Sequence, residues 1–482
     1  MAKKYLIETF GCQMNVHDSE RMAGLLDQAG YEPTADELDA DVIVINTCSV
    51  RERAEEKLYT RLGELRVLGE ETGHRPVVAV AGCVAQQEGA ALLRTTNGQV
   101  IDIVVGTQRL KMLPVLVEKA ADTPFADVDV SPWDYVSFPL GIARRGDPVK
   151  AYVTIIEGCN DHCAFCVVPY TRGHERMRPR ADILAEVREA AASGRREIQL
   201  LGQIVNHYQA PDDPACDFAA LLAEVHEIPG VARIRFASPH PRHTGRRLIE
   251  AVRDLPKVCK HMHLPVQSGS TRILAAMRRR HTREQYLDLV GRVREAIPNV
   301  ALSTDMIVGF PGETAADFAE TLSLAEAVQY QSMFSFKYSP RPNTLASKRM
   351  REEVGEAEKT ARIVALQGLQ REIQTRLHER AVGTTVDVLV DAASRRRAGE
   401  LSGRTAGNTV VNFAPPASAG AARASSLGQT VQVTIRRAGP NSMWGEVAGW
   451  PDEGPAQAVP GRAPAGAYTG VGGLTFATRD QC

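Results

Sequence analysis

The stretch Cys159-Asn160-Asp161-His162-Cys163-Ala164-Phe165-Cys166 decides how the rest of this chain is read. Its cysteines are offset by four and then three residues, and it directly follows Ala151-Tyr152-Val153-Thr154-Ile155-Ile156, a β-branched run with the character of a strand. Active sites of β/α barrels lie at the C-terminal ends of their strands. Three thiolates on one short loop can hold three corners of a cubane iron–sulfur cluster and leave its fourth iron open. The alternative is a zinc site completed by His162 or His174, although zinc knuckles usually open with a two-residue gap and bring a second ligand pair.

Working downstream, further strand candidates fall at 197–201, 233–237, 261–266, 302–308 and 333–338, separated by helical patterns such as 181–192 and 314–328. Six β/α units over 150–380 are too few for an eight-unit barrel and suit an open partial one. A long charged helical pattern follows at 352–379. Short β-type runs at 385–390, 407–413, 430–436 and 443–447, with Gly and Asn turns, then predict a small antiparallel, OB-like barrel over 381–450. The last 32 residues, 451–482, hold four Pro and six Gly and read as a disordered tail.

Upstream, residues 1–120 alternate strand-like runs (4–10, 41–45, 77–81 and 101–105) with helical patterns, which predicts an open parallel α/β domain. Met22, Leu25, Leu26 and Ala29 share one face of the first helix, and Gly30 is placed to end it. Residues 121–149, rich in Asp, Pro and Gly, read as a linker. Cys12, Cys48 and Cys83 are separated by 36 and 35 residues, about one βαβ repeat, and each lies just past the end of a strand. In an open parallel sheet those ends share the ligand-binding edge. Cysteine is also an ordinary core residue, so a shared metal site and three buried thiols both remain open at this point.

Nine cysteines in 482 residues are too few for a secreted disulfide scaffold, and Cys216, Cys259 and Cys482 have no partners by spacing. With no signal peptide and no apolar run of about 18 residues, the chain is expected in a reducing cytoplasm, away from membranes. A net charge of −1 excludes a uniformly basic nucleic-acid binder. Basic residues cluster locally at Arg172, His174, Arg176, Arg178 and Arg180, at Arg242, Arg246 and Arg247, and at Arg278, Arg279, Arg280 and Arg283. All three groups follow strand ends, where phosphate contacts would face the site.

The Cys159–Cys166 pattern is the CxxxCxxC signature of radical S-adenosylmethionine enzymes. Together with Glu157-Gly158 and Val167-Val168-Pro169-Tyr170-Thr171-Arg172-Gly173, it resembles the methylthiotransferases of that superfamily. The order of three-cysteine domain, radical domain and C-terminal barrel (a TRAM domain in that family) matches over residues 1 to about 450. Within the family, the resemblance is to members that modify isopentenyladenosine in tRNA. It is carried by His263-Leu264-Pro265-Val266-Gln267-Ser268-Gly269-Ser270, by Met277 with Arg279-Arg280-His281-Thr282, and by Gly403-Arg404-Thr405 with Val410-Val411-Asn412-Phe413. Two positions depart from the family pattern: Ile204 stands where Asn is usual, and Asn343 where Gly is usual.

The resemblance implies two 4Fe-4S clusters, one on Cys159, Cys163 and Cys166 and an auxiliary one on Cys12, Cys48 and Cys83. It implies S-adenosylmethionine bound near Gly202, Gln203, Gln267 and Gly309, with the chemistry carried by clusters and cofactor rather than by a catalytic side chain. The implied partners are a tRNA anticodon stem-loop, whose target base must be unstacked to be reached, and a reducing donor such as flavodoxin or ferredoxin, acting on a monomer. The alternatives are a ribosomal protein or another modified tRNA adenosine as substrate, and a non-catalytic iron–sulfur RNA-binding regulator.

Overall fold

Alternating apolar runs and helices fold the first part of the chain into a parallel sheet. In this computed structural model, which describes residues 2–50, 52–122, 126–132, 138–139, 141–395, 397–416, 426–450 and 474–476, the strands are β1 (Lys4–Phe10), β2 (Glu32–Pro33), β3 (Val42–Thr47), β4 (Val77–Gly82), β5 (Ile103–Gly106) and β6 (Asp127–Asp129), ordered β2-β1-β3-β4-β5-β6. Every residue of β3 is buried, as in a strand covered on both faces. Val42 and Val44 pack with Met22 and Leu26 of α1 (Gln13–Gln28), while Ile43 and Ile45 pack with Leu58 and Leu62 of α2 (Glu52–Thr72). Gly30, with φ of 85°, terminates α1 as expected. β6 falls inside the segment expected to be linker. Two aspartates in three residues carry no apolar period, and pairing with β5 is what makes them a strand.

β7 (Lys150–Thr154) opens the second unit, and the chain then turns into a ribbon of β8 (Ile156–Glu157) with β9 (Arg176–Met177). β10 (Glu197–Leu201) and β11 (Arg233–Phe236) form one three-stranded parallel sheet with β7. β12 (His261–His263), β13 (Ala301–Val308) and β14 (Ser332–Lys337) form another. A bridge from Ile234 to Val258 ties the two edges. The result is the open partial barrel, with one continuous core running from Val153 and Leu200 to Met262 and Met306.

Helix Glu356–Glu379 leads to a closed barrel of β15 (Thr385–Ala393), β16 (Leu401–Arg404), β17 (Val410–Ala414), β18 (Thr430–Ala438) and β19 (Met443–Gly449), in the order β15-β16-β17-β19-β18. The sequence showed four β runs; β16, Leu-Ser-Gly-Arg, is too polar to stand out. A closed ring of five strands cannot alternate direction all the way round, so the β17–β19 pairing is parallel in an otherwise antiparallel barrel. This barrel docks on the starts of the larger barrel's strands. Lys150 pairs with Asp391 at 2.9 Å, Arg233 donates to the Asp387 carbonyl at 3.1 Å, and Gln331 donates to Thr409 at 3.0 Å. It therefore lies at the pole opposite the cysteine loops. Of the tail, β20 (Leu474–Phe476) pairs in parallel with Ile7–Thr9 of β1, which replaces disorder with a strand there. The rest of that expectation, and Cys482, lie outside the described residues.

Candidate metal centres at the barrel mouth

Gly158, with φ of 73°, starts the cysteine loop; a Cβ there would lie 2.1 Å from the His174 carbonyl oxygen. That close approach lets the Cys159 N–H donate to the Gly173 carbonyl at 3.1 Å. Within the loop the Cys166 N–H donates to the Cys163 carbonyl at 3.0 Å. Ala164 ties the loop to the barrel, donating to the Met277 carbonyl at 2.9 Å and accepting from the Ala346 N–H at 2.8 Å. Cys159, Val168 and Ile204 form a small buried apolar cluster with Cys166 against it. Ile204 therefore packs under the loop, which gives this departure from the family pattern a packing role. Asn343, with φ of 67°, adopts the left-handed geometry that the usual Gly would supply.

Burial pushes the Cys159 thiol up to about 11 and the Cys166 thiol up to about 12. Neutral thiols are thus favoured until a cation offsets the desolvation, and iron supplies that charge when it binds thiolates. Arg279, 7% exposed, holds its guanidinium 3.5 Å from Cys163 Sγ and donates to the Pro265 carbonyl at 2.7 Å.

The residues assigned to the cofactor loops end neighbouring strands. Gln267 is 8% exposed, with φ of 80°, and is held there by main-chain bonds of 2.9 Å to Asp305 and from Ile307. A non-glycine residue in that region stores roughly 1–3 kcal/mol of strain, which is characteristic of functional loops. Gly202 leaves only 3.2 Å between a would-be Cβ and Ile156. Gly309, with φ of 71°, would place a Cβ 2.4 Å from Lys359 Cγ, so its backbone and packing already require glycine. Gln203 is half-buried at the end of β10.

The dispersed cysteines follow three adjacent strands. Phe10, Thr47 and Gly82 are in register across β1, β3 and β4, so Cys12, Cys48 and Cys83 emerge side by side. A Cβ at Gly11 would lie 2.9 Å from Cys48 Cβ, and one at Gly82 (φ 92°) 2.2 Å from Asn46 Oδ1. Both glycines make room for the loops. Beneath them, Asn46 donates to the Asn15 carbonyl at 2.8 Å and to Ser19 at 2.9 Å. Cys12 caps α1, and its thiol is held down at about 5, chiefly by a hydrogen bond from Cys48, whose own thiol is pushed up. Burial pushes the Cys83 thiol up. Among the described residues no three His, Cys, Asp or Glu side chains converge as single-ion ligands. A four-iron cluster takes each thiolate on a separate iron rather than gathering all three on one ion, so the chemistry of three thiols in each set suits it.

The basic clusters divide. Arg172 pairs with Asp18 at 2.7 Å, Arg178 with Glu186 at 2.6 Å and Arg180 with Glu224 at 2.9 Å, while Arg283 donates to the Gly269 carbonyl at 3.1 Å. These serve the fold rather than a free basic surface. Arg242 and Arg278 remain exposed, and Arg246, Arg247 and Arg280 are exposed while pairing with Glu250, Asp217 and Asp161. Tyr170, next to the cysteine loop, is 49% exposed.

The matching family descriptions follow this architecture. An uncharacterized protein family, UPF0004, matches residues 4–106, the Radical SAM superfamily matches 153–325 and the TRAM domain matches 379–448. A tRNA-2-methylthio-N(6)-dimethylallyladenosine synthase of Thiobacillus denitrificans is 46% identical over 447 residues, covering 92% of this chain and 98% of the relative. One of the same name from Geotalea uraniireducens is 45% identical over 457 residues, covering 92% and 99%. The chain belongs to the tRNA-2-methylthio-N(6)-dimethylallyladenosine synthase family. Among solved structures, the radical S-adenosylmethionine methyltransferase TsrM from Kitasatospora setae, with cobalamin and a [4Fe-4S] cluster bound, superposes with a TM-score of 0.53 at 15% identity, covering 83% of this chain and 81% of that one. At that identity the likeness is one of fold. Membership of the radical SAM superfamily implies S-adenosylmethionine and a [4Fe-4S] cluster for this synthase family member. No helix among the described residues is long and apolar enough to cross a membrane.

Sequence reasoning missed the buried roles of Arg172 and Arg279, because counting charge does not separate a buried guanidinium from an exposed one. It also missed the polar side of α1, where His17, Asp18, Glu20 and Arg21 are all at most 3% exposed. A polar and charged run, His17-Asp18-Ser19-Glu20-Arg21, starting five residues after the candidate ligand Cys12 was the available signal.

Proposed function

We propose that this chain is a tRNA methylthiotransferase that adds a methylthio group to carbon 2 of N(6)-isopentenyladenosine beside the anticodon. The observation that carries this reading is that Cys12, Cys48 and Cys83 follow three in-register parallel strands, while the short helix just past Cys166 packs on the helix that opens at Cys83. Cys159, Cys163 and Cys166 would hold a 4Fe-4S cluster with an open iron for S-adenosylmethionine, and Cys12, Cys48 and Cys83 a second cluster. When bound, cluster and cofactor together supply one-electron cleavage of a carbon–sulfur bond, which reaches a C–H position beyond acid–base catalysis. The chain's own residues position and shield. Ile204 and Val168 keep water from the Cys159 side of the loop, and the strained Gln267 backbone fixes the opposite lip of the mouth. Arg242, Arg278 and Arg280 offer exposed charge for RNA phosphates, and the half-exposed Tyr170 ring offers a face on which an unstacked base can lie. A flavodoxin- or ferredoxin-type donor would supply electrons.

Liquid chromatography of tRNA nucleosides from a strain lacking this gene tests the reading. The methylthiolated nucleoside should be absent, and should return with the wild-type gene but not with Cys48→Ala. An unchanged tRNA profile together with a lost modification on a ribosomal protein would assign the protein substrate instead.

A further inference from the structure

α1 leaves the Cys12 loop and runs into the seam between the two α/β units carrying buried polar side chains. His17 Nδ1 lies 2.8 Å from the Thr154 hydroxyl, Arg21 pairs with Glu157 at 3.1 Å, and Glu20 accepts from the Gly146 N–H at 3.1 Å. Asp18, 3% exposed, takes the Arg172 guanidinium at 2.7 Å. Arg172 lies six residues past Cys166, at the end of the short helix Val168–Thr171, and its N–H donates to the Val168 carbonyl at 2.8 Å. That helix packs against α3 (Cys83–Glu88), whose first residue is a cysteine of the other set. The Thr107 hydroxyl, on the loop after β5, donates to the Thr171 carbonyl and pins the helix end. Arg172 is 6% exposed, and the helix it ends packs on the helix that opens at Cys83, so its charge bears on Cys83 and, more weakly, on Cys12. A side chain supplied by the radical half thus ends as a buried cation beside the cysteines of the N-terminal half.

We propose that Arg172, clamped by Asp18, is a positioning residue that sets the reduction potential of the cluster on Cys12, Cys48 and Cys83. The inference rests on the two-cluster reading above. Its physical basis is charge. Reduction adds an electron to a centre already carrying three thiolates, and a buried cation beside those sulfurs stabilises the reduced form most. Burial keeps the effect from being screened. Hydrogen bonds to ligating sulfurs are an established lever on such potentials. The Asp18 carboxylate fixes where the guanidinium points and spends one of its five N–H groups, leaving others for sulfur.

The test uses the full chain reconstituted anaerobically with Cys159, Cys163 and Cys166 all changed to Ala, so that only the second cluster can bind. Iron and sulfide are counted, and the midpoint potential is read by electron paramagnetic resonance during redox titration. In this background about four irons are expected. Arg172→Gln should retain the iron and move the midpoint to more negative potential. Arg172→Lys, which keeps the charge without the planar fork, should shift it less. Asp18→Asn removes the carboxylate charge that opposes Arg172 at Cys83, so it should move the midpoint the other way, to less negative potential. A midpoint unchanged in Arg172→Gln, with iron retained, overturns the proposal. So does loss of iron in both Arg172 variants with the surviving fraction at the original midpoint, since that marks a scaffold role only. Absence of iron from the background protein itself removes the two-cluster reading, and this inference with it.

Discussion

The two cysteine sets reach one mouth by opposite routes. Cys159, Cys163 and Cys166 lie on a single loop tied by main-chain bonds to Met277 and Ala346. Cys12, Cys48 and Cys83 meet only because β1, β3 and β4 lie side by side in register. The first set is a local object that a short segment nearly defines. The second is a property of a folded sheet, and nothing within ten residues of any one member identifies it. Each set nevertheless has one buried arginine brought from outside its own ligand loop: Arg279 beside Cys163, and Arg172 beside Cys83. The chemistry asks for the same two things, thiolates and a nearby cation, and the fold assembles them once by loop geometry and once by topology.

The comparison breaks most completely at the cysteines themselves. Cys163→Ala should remove about half of the roughly eight irons expected and abolish deoxyadenosine formation from S-adenosylmethionine. Cys48→Ala should remove the other half, leave deoxyadenosine formation in place and abolish the methylthiolated nucleoside. Iron counting and product chromatography on the two proteins read both halves at once. If the two variants lose the same activities, the sets do not have separate roles.

A sharper separation comes from the backbone. Gly82 has φ of 92°, and a Cβ there would meet Asn46 Oδ1 at 2.2 Å and the Thr47 carbonyl at 2.7 Å. Gly82→Ala should cost about 2–3 kcal/mol, felt where the strand ends converge. Chemical denaturation should show the loss, and the iron content should fall at the second cluster while deoxyadenosine formation survives. A local site should tolerate this change; one assembled from a sheet should not.

The seam between the halves carries its own signature. Burial holds His17 down at about 4, against the usual 6.5, at 0% exposure. The unfolded chain takes up a proton at this residue as pH falls through 6.5, while the folded chain does so only near 4. His17 therefore removes stability as pH falls across that window, by up to about 3 kcal/mol. His17→Gln should lose less stability than wild type between pH 6.5 and 4, measured as the difference in urea midpoints.

Much of this arrangement is legible in the sequence, for physical reasons that differ by region. The parallel sheet and the six barrel strands announce themselves because strands buried on both faces must be apolar runs, as in Val42–Thr47. β6 does not, because the edge strand Asp127–Asp129 owes its structure to its neighbour rather than to its own side chains, and β16 does not, because Leu401-Ser402-Gly403-Arg404 is too polar to stand out although it is paired on both sides. The six cysteines stand out by spacing, and Gln267 by the run around it, although only the structure reveals its left-handed backbone. Buried charge is the least legible. Arg172 and Arg279 look like the exposed Arg278 and Arg280, and what distinguishes them is a carboxylate or carbonyl distant in sequence, Asp18 or Pro265.

The same distinction decides the smallest predicted effect. Among the residues at the mouth, Tyr170 is unusual in being a large ring left 49% exposed, on the helix that links the two cysteine sets. Its removal should cost the fold little, because the ring fills no core and its cation contact, Lys348 Nζ 6.0 Å from the ring centre, lies at the outer limit for such an interaction. If it stacks on the unpaired target base, Tyr170→Ala should weaken tRNA binding by about 1 kcal/mol or slightly more, roughly a five- to tenfold rise in KM. Iron content, the urea midpoint and deoxyadenosine formation without tRNA should stay at wild-type values. Tyr170→Phe should restore binding, since the stacking face is retained and only the hydroxyl is lost. An unchanged KM in the alanine variant would move the base-contacting surface away from the linking helix, toward the Arg242 and Arg280 side of the mouth.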